Sequence, residues 1–187
     1  MKNALFFLAL ALFTFSACQK DDETPQEVDN ILQYDGPNQT GPLLEAGNHE
    51  AAVRFTSTQT TPYLGKQLTA VRFFMGLTPA AANLKIYDAG TADAPGALLY
   101  SANVLPGMKT GEWTDHILGT PIDITGDDLW ISISLKHDVT QQSIGCDAGP
   151  NKTNGDWLFS DSDNDWITYI NRTGESVNWN IRGVVGE

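Results

Sequence analysis

Apolar and polar residues alternate with a period of two over most of the chain, and this pattern predicts strands with one buried face. The clearest case is LWISISLK at residues 129–136, where every second residue is aliphatic. Similar alternation predicts strands at residues 49–56, 68–76, 83–88 and 177–185. Weaker alternation predicts further strands at residues 98–105, 112–118, 142–146, 156–160 and 166–170.

Turn-forming sequences separate these segments, among them DAG at 88–90, TGDD at 125–128 and NG at 154–155. No stretch of ten or more residues has a helical period. We therefore predict an all-β domain over residues 31–187, folded as a two-sheet antiparallel β-sandwich of the jelly-roll type. An immunoglobulin-like sandwich fits less well, because the strand count is high and the Cys…Trp…Cys pattern is missing.

The first 17 residues have the pattern of a signal peptide. Lys2 is followed by 14 uncharged residues at positions 4–17, fewer than the roughly 20 that span a bilayer. Ser16 and Ala17 precede Cys18 directly, which resembles a lipobox, although Phe15 stands where Leu is usual. We predict cleavage before Cys18 and lipidation of this residue, so that the new N-terminus carries acyl chains; the alternative is ordinary signal cleavage with Cys18 unmodified.

Residues 18–30 are polar, acidic and contain proline, and they predict a lipidated acidic tether. The sequence QKDDE at 19–23 resembles the export tag of surface lipoproteins in Gram-negative gut and oral anaerobes. That resemblance implies a lipid anchor in the outer membrane, with exposure at the cell surface. The alternative is a charged tether without a sorting role.

Charge and cysteine content narrow the choice of partners. The chain has a net charge of −12, which becomes −13 when Lys2 is removed with the signal peptide. Such an acid excess argues against nucleic acid as a partner, and it restricts membrane contact to the lipid anchor. Cys18 and Cys146 are the only cysteines, so acylation of Cys18 leaves no disulfide. We expect Cys146 to be a buried apolar residue.

A series of short motifs runs in order from about residue 33 to residue 185: YDG at 34, VRFF at 71, KIYD at 85, GALLYS at 96, GEW at 111, CDAGP at 146, GDW at 155 and WNIR at 179. Together they resemble a family of β-sandwich modules from surface proteins of the same anaerobes. Members of that family accompany adhesin and protease domains and are described as adhesion-like or carbohydrate-binding-like. The resemblance implies a binding module and assigns no catalytic residue.

Catalytic templates are missing from the sequence. There is no Gly-x-Ser-x-Gly elbow, phosphate-binding glycine loop or His-Glu-x-x-His motif. His49, His116 and His137 are isolated and lack the spacing of metal ligands. We therefore predict that the protein is not an enzyme.

Alternate carboxylates at Asp161, Asp163 and Asp165 suggest a calcium site, because calcium prefers hard oxygen ligands. An EF-hand is excluded, since Trp166 and Arg172 occupy the positions that require Gly and Glu. A looser calcium site is one interpretation. The other is the turn of a hairpin between residues 157–160 and 166–170.

Aromatic and cationic residues on outward-facing positions suggest a ligand surface. Trp130 lies on the polar side of its strand, and Trp157 and Trp166 flank the acidic segment. Further outward positions hold cations that could bind a polar or anionic glycan. The predicted ligand-binding residues are Trp130, Trp157, Trp166, Arg54, Arg72 and Arg182. The alternatives are that loops or a second core layer cover the rings, and that the cations pair with acidic loops.

These observations predict a non-catalytic surface lipoprotein that binds an extracellular ligand, either a glycan or a host or matrix protein. One alternative is a structural or accessory subunit of a surface assembly for glycan uptake or adhesion, docked by an edge strand. Another is a glycan hydrolase.

Overall fold

A computed structural model describes residues 30–187; the predicted signal peptide, Cys18 and all but the last residue of the tether lie outside this range. The described strands are β1 Ile31–Leu32, β2 Gly47–Phe55, β3 Gln67–Met75, β4 Ala81–Tyr87, β5 Leu98–Asn103, β6 Glu112–Asp123, β7 Leu129–His137, β8 Trp157–Ser160, β9 Asp165–Thr168 and β10 Ile181–Gly186. Two short helices accompany them, α1 Ser57–Thr60 and α2 Tyr169–Thr173, with 3₁₀ turns at Thr61–Tyr63 and Leu105–Gly107. In this part of the chain, no helix has the length and apolar character needed to cross a membrane.

The strands form two sheets in which all neighbours are antiparallel. The smaller sheet has the order β1-β10-β3-β6, and the larger has the order β5-β4-β7-β2-β8-β9. Without the β8–β9 hairpin, eight strands remain in two four-stranded sheets, which is the jelly-roll arrangement. The predicted all-β sandwich is therefore confirmed.

The core lies between the sheets because each strand turns its aliphatic face inward. In the larger sheet, Val53 pairs with Ile131, and Leu84 pairs with Ile133. In the smaller sheet, Phe73 lies opposite Ile181. All six side chains are fully buried, as expected for alternating strands whose register is fixed by one buried face.

One predicted strand, at residues 142–146, is wrong, and two others have wrong bounds. Residues 142–146 form only isolated bridges, through Ile144 to Met75 and through Cys146 to Thr40 and Trp179. Residues 177–180 precede β10, and the predicted strand at 166–170 gives way to helix α2 at Tyr169. These segments are buried at the ends of the sandwich, so their apolar residues reflect loop packing rather than a sheet ladder.

Candidate functional site

The six predicted ligand residues do not form one surface, because they belong to two different sheets. Arg54 on β2, Trp130 on β7, Trp157 on β8 and Trp166 on β9 face outward from the larger sheet. Arg72 on β3 and Arg182 on β10 face outward from the smaller sheet, where they are neighbours in register. A single platform of all six residues would require their strands to be neighbours, and these strands lie in different sheets.

The outer face of the larger sheet is closed around Trp130. This side chain is fully buried, and its indole N–H donates to the carbonyl oxygen of Ala89 at 3.1 Å. The ring lies 5.4 Å from Trp157 and 5.9 Å from Trp166, centroid to centroid. Trp130 and Trp157 thus form a second, smaller core with Ala52, which matches the covered alternative and leaves their ring faces unavailable to a ligand.

Arg54 links β2 to the loops that cover this face. Its guanidinium pairs with Asp128 at 2.5 Å, and it also donates to the carbonyl oxygen of Ala92 at 2.8 Å. It lies 5.9 Å from the Trp130 ring. The predicted alternative of pairing with an acidic loop therefore describes Arg54.

A buried polar cluster also lies on the outer face of the larger sheet, which we call the closed face. Glu50 is 7% exposed and accepts hydrogen bonds from Lys85, Tyr87 and Ser132 at 2.6–2.7 Å. Burial and the neighbouring Glu50 carboxylate together raise the pKa of Tyr87 far above its usual value. The cluster is internally satisfied and offers few free groups to a ligand.

The acidic segment forms the predicted hairpin turn between β8 and β9. Its carboxylates separate: Asp161 accepts from Asn48, Asp163 pairs with Arg172, and Asp165 caps the next backbone N–H. Within residues 30–187, no three His, Cys, Asp or Glu side chains are grouped to hold a metal ion. The structure therefore gives a hairpin here and does not assemble the suggested calcium ligands.

The outer face of the smaller sheet is open by contrast. We call it the open face, and it consists of Arg72, Phe74, Trp113, Asp115, Ile117 and Arg182. All six are partly or fully exposed, and Ile117 reaches 78%. The register places Phe74 beside Trp113 and Arg72 beside Asp115, so aromatic and charged pairs form adjacent rows across the sheet.

Trp113 is the central ring of the open face. Phe74 contacts it edge to face at 5.8 Å, and the Arg182 guanidinium stacks over it at 4.2 Å. Both contacts have favourable ring electrostatics. Trp113 lies on β6, which is an edge strand of the smaller sheet. Its contact with Arg182 depends on a strand pairing that no local pattern reveals.

A buried carboxylate holds Arg182 in place. Asp35 has a side-chain exposure of 0% and accepts from Nε and Nη2 of Arg182 at 2.8–3.0 Å. Asn180 donates to the same carboxylate at 2.6 Å. Bidentate pairing of this kind fixes the plane of the guanidinium, so the Arg182–Trp113 stack is preorganised. In the sequence, Asp35 stands out only as the middle residue of the YDG motif.

Arg72 is held more loosely. It pairs with Asp115 through two hydrogen bonds of 2.6 and 3.1 Å, and the two side chains are 39% and 51% exposed. The hydrogen bond from Arg72 lowers the pKa of Asp115 below its usual value, and Asp115 raises that of Arg72. Both groups are charged at neutral pH and reach solvent, where they can contact a ligand.

The open face continues into a pocket of about 320 Å³ beside Phe74. Asn38, Gln142 and Gly145 contribute to its lining. The side-chain oxygen of Asn38 is buried and has no hydrogen-bond partner among the described residues. An aromatic surface bordered by amide groups and fixed guanidinium donors has the chemistry to bind a hydroxyl-rich ligand.

A larger cavity of about 710 Å³ lies at the opposite end of β6. Its lining combines aliphatic residues with Asp88, Asp123, Asp127 and Asp128. Two of these carboxylates already accept hydrogen bonds from neighbouring segments, from Gln67 to Asp123 and from Ser57 to Asp128. They serve as turn and loop anchors, which makes this cavity the weaker candidate.

Cys146 is buried as predicted. Burial raises the pKa of its thiol to about 12, so the reactive thiolate is not formed at neutral pH. The histidines, which are isolated along the sequence, have neighbours in the structure. The ring centroids of His49 and His137 are 5.4 Å apart, and His116 contacts Tyr100.

A scan against protein-family models matched none, and searches of curated proteins and of solved structures returned no match.

Proposed function

We propose that the protein is a non-catalytic, lipid-anchored surface module that binds an extracellular glycan through its open face. The observation that carries the proposal is the stack of Arg182 on Trp113, fixed by buried Asp35. Preorganised aromatic and guanidinium groups reduce the entropy lost on binding. They also supply both a flat apolar surface and hydrogen-bond donors, which are the two features that sugar rings require.

The position of the site supports display away from a membrane. The described chain enters at Asn30, next to Ile31 of β1, and Gln67 at the start of β3 lies at the same end. Phe74 is seven residues further along β3, about 23 Å away at the usual rise per residue. If Cys18 carries the anchor, the Phe74–Trp113 pair lies toward the end of the sandwich far from the tether.

The proposal is tested with a glycan array on a soluble chain of residues 19–187. Trp113→Ala should abolish most of the binding, because it removes the central ring. Trp166→Ala is the matched control, since this half-buried tryptophan lies on the other sheet. Loss of binding in Trp166→Ala but not in Trp113→Ala would contradict the assignment to the open face. A blank array would overturn the glycan as ligand.

The lipidation of Cys18 and the exposure of the protein at the cell surface are tested separately in cells. Labelling with an alkyne-modified fatty acid should mark the wild-type protein and not Cys18→Ser. Protease treatment of intact cells should degrade the wild-type protein if it is exposed. Labelling of Cys18→Ser at the wild-type level would refute acylation at this residue, and protection from protease would refute surface exposure.

A second candidate function is docking into a surface assembly through β6. This strand is 12 residues long and is an edge of the smaller sheet, and Ile117 on it is 78% exposed. Unpaired strand edges can accept a strand from another protein. A Pro substitution at Thr120, which is exposed on β6 and outside the open face, that abolished partner capture and left glycan binding intact would favour this role.

A further inference from the structure

The two arginines of the open face are direct neighbours across the pair of strands β3 and β10. Arg72 and Arg182 are Cα partners in the antiparallel register, and side chains at such positions have Cβ atoms about 4.5–5.5 Å apart. Like charges that lie directly opposite one another repel. Each arginine therefore has a carboxylate of its own, Asp115 for Arg72 and Asp35 for Arg182.

Each guanidinium uses only part of its set of donors on that carboxylate. Arg72 donates to Asp115 through Nε and Nη2. Arg182 donates through the same two nitrogens to Asp35 and to the carbonyl oxygen of Gly36. Among the described residues, no group accepts from Nη1 of either arginine, and neither Nη1 is an enclosed atom. Because each Nη1 carries two N–H groups, the open face presents charged donors that the chain itself leaves without acceptors.

Both guanidinium groups extend over the edge strand β6. That of Arg182 stacks over the Trp113 ring at 4.2 Å, and that of Arg72 pairs with Asp115. Positions 113 and 115 share one face of β6 and are about 7 Å apart along the strand. Charge-assisted hydrogen bonds are about 2.7–2.9 Å long, so one group with several anionic oxygens can accept from both guanidinium groups.

The charges around these donors favour an anion, although the chain as a whole has a net charge of −12. Asp35 and Asp115 are each neutralised by an arginine, and Asp35 lies enclosed with a side-chain exposure of 0%. The hydrogen bond and charge of Arg72 lower the pKa of Asp115, and the charge of Lys109 contributes to this shift. Lys109 is exposed, so a third cation lies beside the two arginines.

We infer that the ligand of the open face carries an anionic substituent, a carboxylate or a sulfate, which Arg72 and Arg182 bind through Nη1 beside the Trp113 ring. The inference rests on the proposed glycan-binding function and narrows the ligand to acidic sugars. Guanidinium groups match the geometry of oxyanions, and bidentate pairing to an aspartate holds both of them in place before the ligand arrives. Uronic acids and sulfated sugars share this chemistry, and the experiment separates them.

The ligand test compares glycans that differ in charge alone. The soluble chain of residues 19–187 is assayed on an array of acidic and neutral glycans that includes oligogalacturonate beside its methyl ester, and dextran sulfate beside unsulfated dextran. We expect binding to acidic glycans, and at least about tenfold weaker binding to the neutral counterpart of each one that binds. The pair that responds identifies the anion as carboxylate or sulfate. Equal binding to both members, or binding to neutral glycans alone, would refute the inference and leave the glycan proposal standing, whereas a blank array would overturn both.

Variants of equal net charge test the contact itself. Arg72→Met and Lys136→Met each remove one positive charge, but Lys136 is exposed on β7 of the other sheet. Calorimetry with an acidic glycan that binds should show affinity about tenfold lower for Arg72→Met and unchanged affinity for Lys136→Met. Because the pair of Arg72 with Asp115 is exposed, we expect Arg72→Met to fold, and circular dichroism checks this. Equal affinities in the two variants would overturn the assignment to Arg72.

Salt supplies a readout that needs no variant. The affinity of the wild type for the acidic glycan should fall as NaCl is raised from about 25 mM to about 300 mM, because salt screens exposed charges. The affinity for the acidic glycan would stay constant if uncharged contacts alone held it, and that result would contradict the inference.

Discussion

Arg72 and Arg182 are neighbours on the open face, yet their replacement should have very different effects on stability. Each guanidinium pairs with one aspartate through a bidentate contact. The difference is burial: the side chain of Asp35 is 0% exposed, whereas that of Asp115 is 51% exposed. Replacement of either arginine by Met keeps an apolar stem of similar length and removes the charge.

The expected magnitudes follow from the solvent available to the carboxylate left behind. Arg182→Met leaves Asp35 as a buried charge, and among the described residues only Asn180 then donates to it from a side chain. Breaking such a pair costs about 3 kcal/mol. Arg72→Met leaves Asp115 in water, and exposed pairs contribute about 0.5 kcal/mol. Replacement of Arg182 should therefore lower the free energy of unfolding by several times as much.

Urea unfolding followed by tryptophan fluorescence and by circular dichroism measures both variants. With a slope of about 2 kcal/mol per molar urea, the midpoint should fall by about 1.5 M for Arg182→Met and about 0.25 M for Arg72→Met. The double variant Asp35→Leu with Arg182→Met should recover part of the loss, because it removes the unpaired charge. Equal midpoints for the two single variants would refute the view that burial of Asp35 decides the cost.

Three further predictions concern buried groups. Trp130→Ala should lower the free energy of unfolding by about 3–5 kcal/mol, because it empties the second core; a change below 1 kcal/mol would show that the closed face is not packed. Burial lowers the pKa of His137, so the native state binds fewer protons than the unfolded chain and the free energy of unfolding should fall as the pH drops below about 6.5. His137→Gln should lose this part of the pH dependence. An unchanged dependence of the free energy of unfolding on pH in this variant would contradict the role of His137. Cys146 should react with a thiol reagent only on unfolding, because burial raises its pKa to about 12; a rate that is unchanged by urea would show that the thiol is accessible in the native state.

The period of two predicted which way side chains point, and it did so correctly for Arg72, Arg182 and Trp130. It could not assign these outward positions to a sheet, because strand order depends on pairings between distant segments. Arg54 and Arg72 look equivalent in sequence, yet β2 and β3 belong to opposite sheets. One arginine therefore seals a closed face, and the other is partly exposed on the open face.

Outward orientation also did not imply exposure. Trp130 alternates with inward aliphatic residues, as predicted, but the connection after β4 and the β8–β9 hairpin cover it. The hairpin itself was one of two interpretations of the acidic segment. Contacts with Asn48 and Arg172 separate its carboxylates. Asn48 is far away in sequence on β2 and Arg172 is on α2, so neither contact could be identified from residue spacing.

The sequence by itself determined the all-β sandwich, because alternation with one buried face is a local property that each strand carries alone. It also predicted the burial of Cys146. Only the tertiary structure decided that the small sheet has the open face, that Asp35 fixes Arg182 and that His49 meets His137. Each of these depends on residues brought together from distant parts of the chain, and the stabilising free energy resides in those contacts rather than in any local pattern.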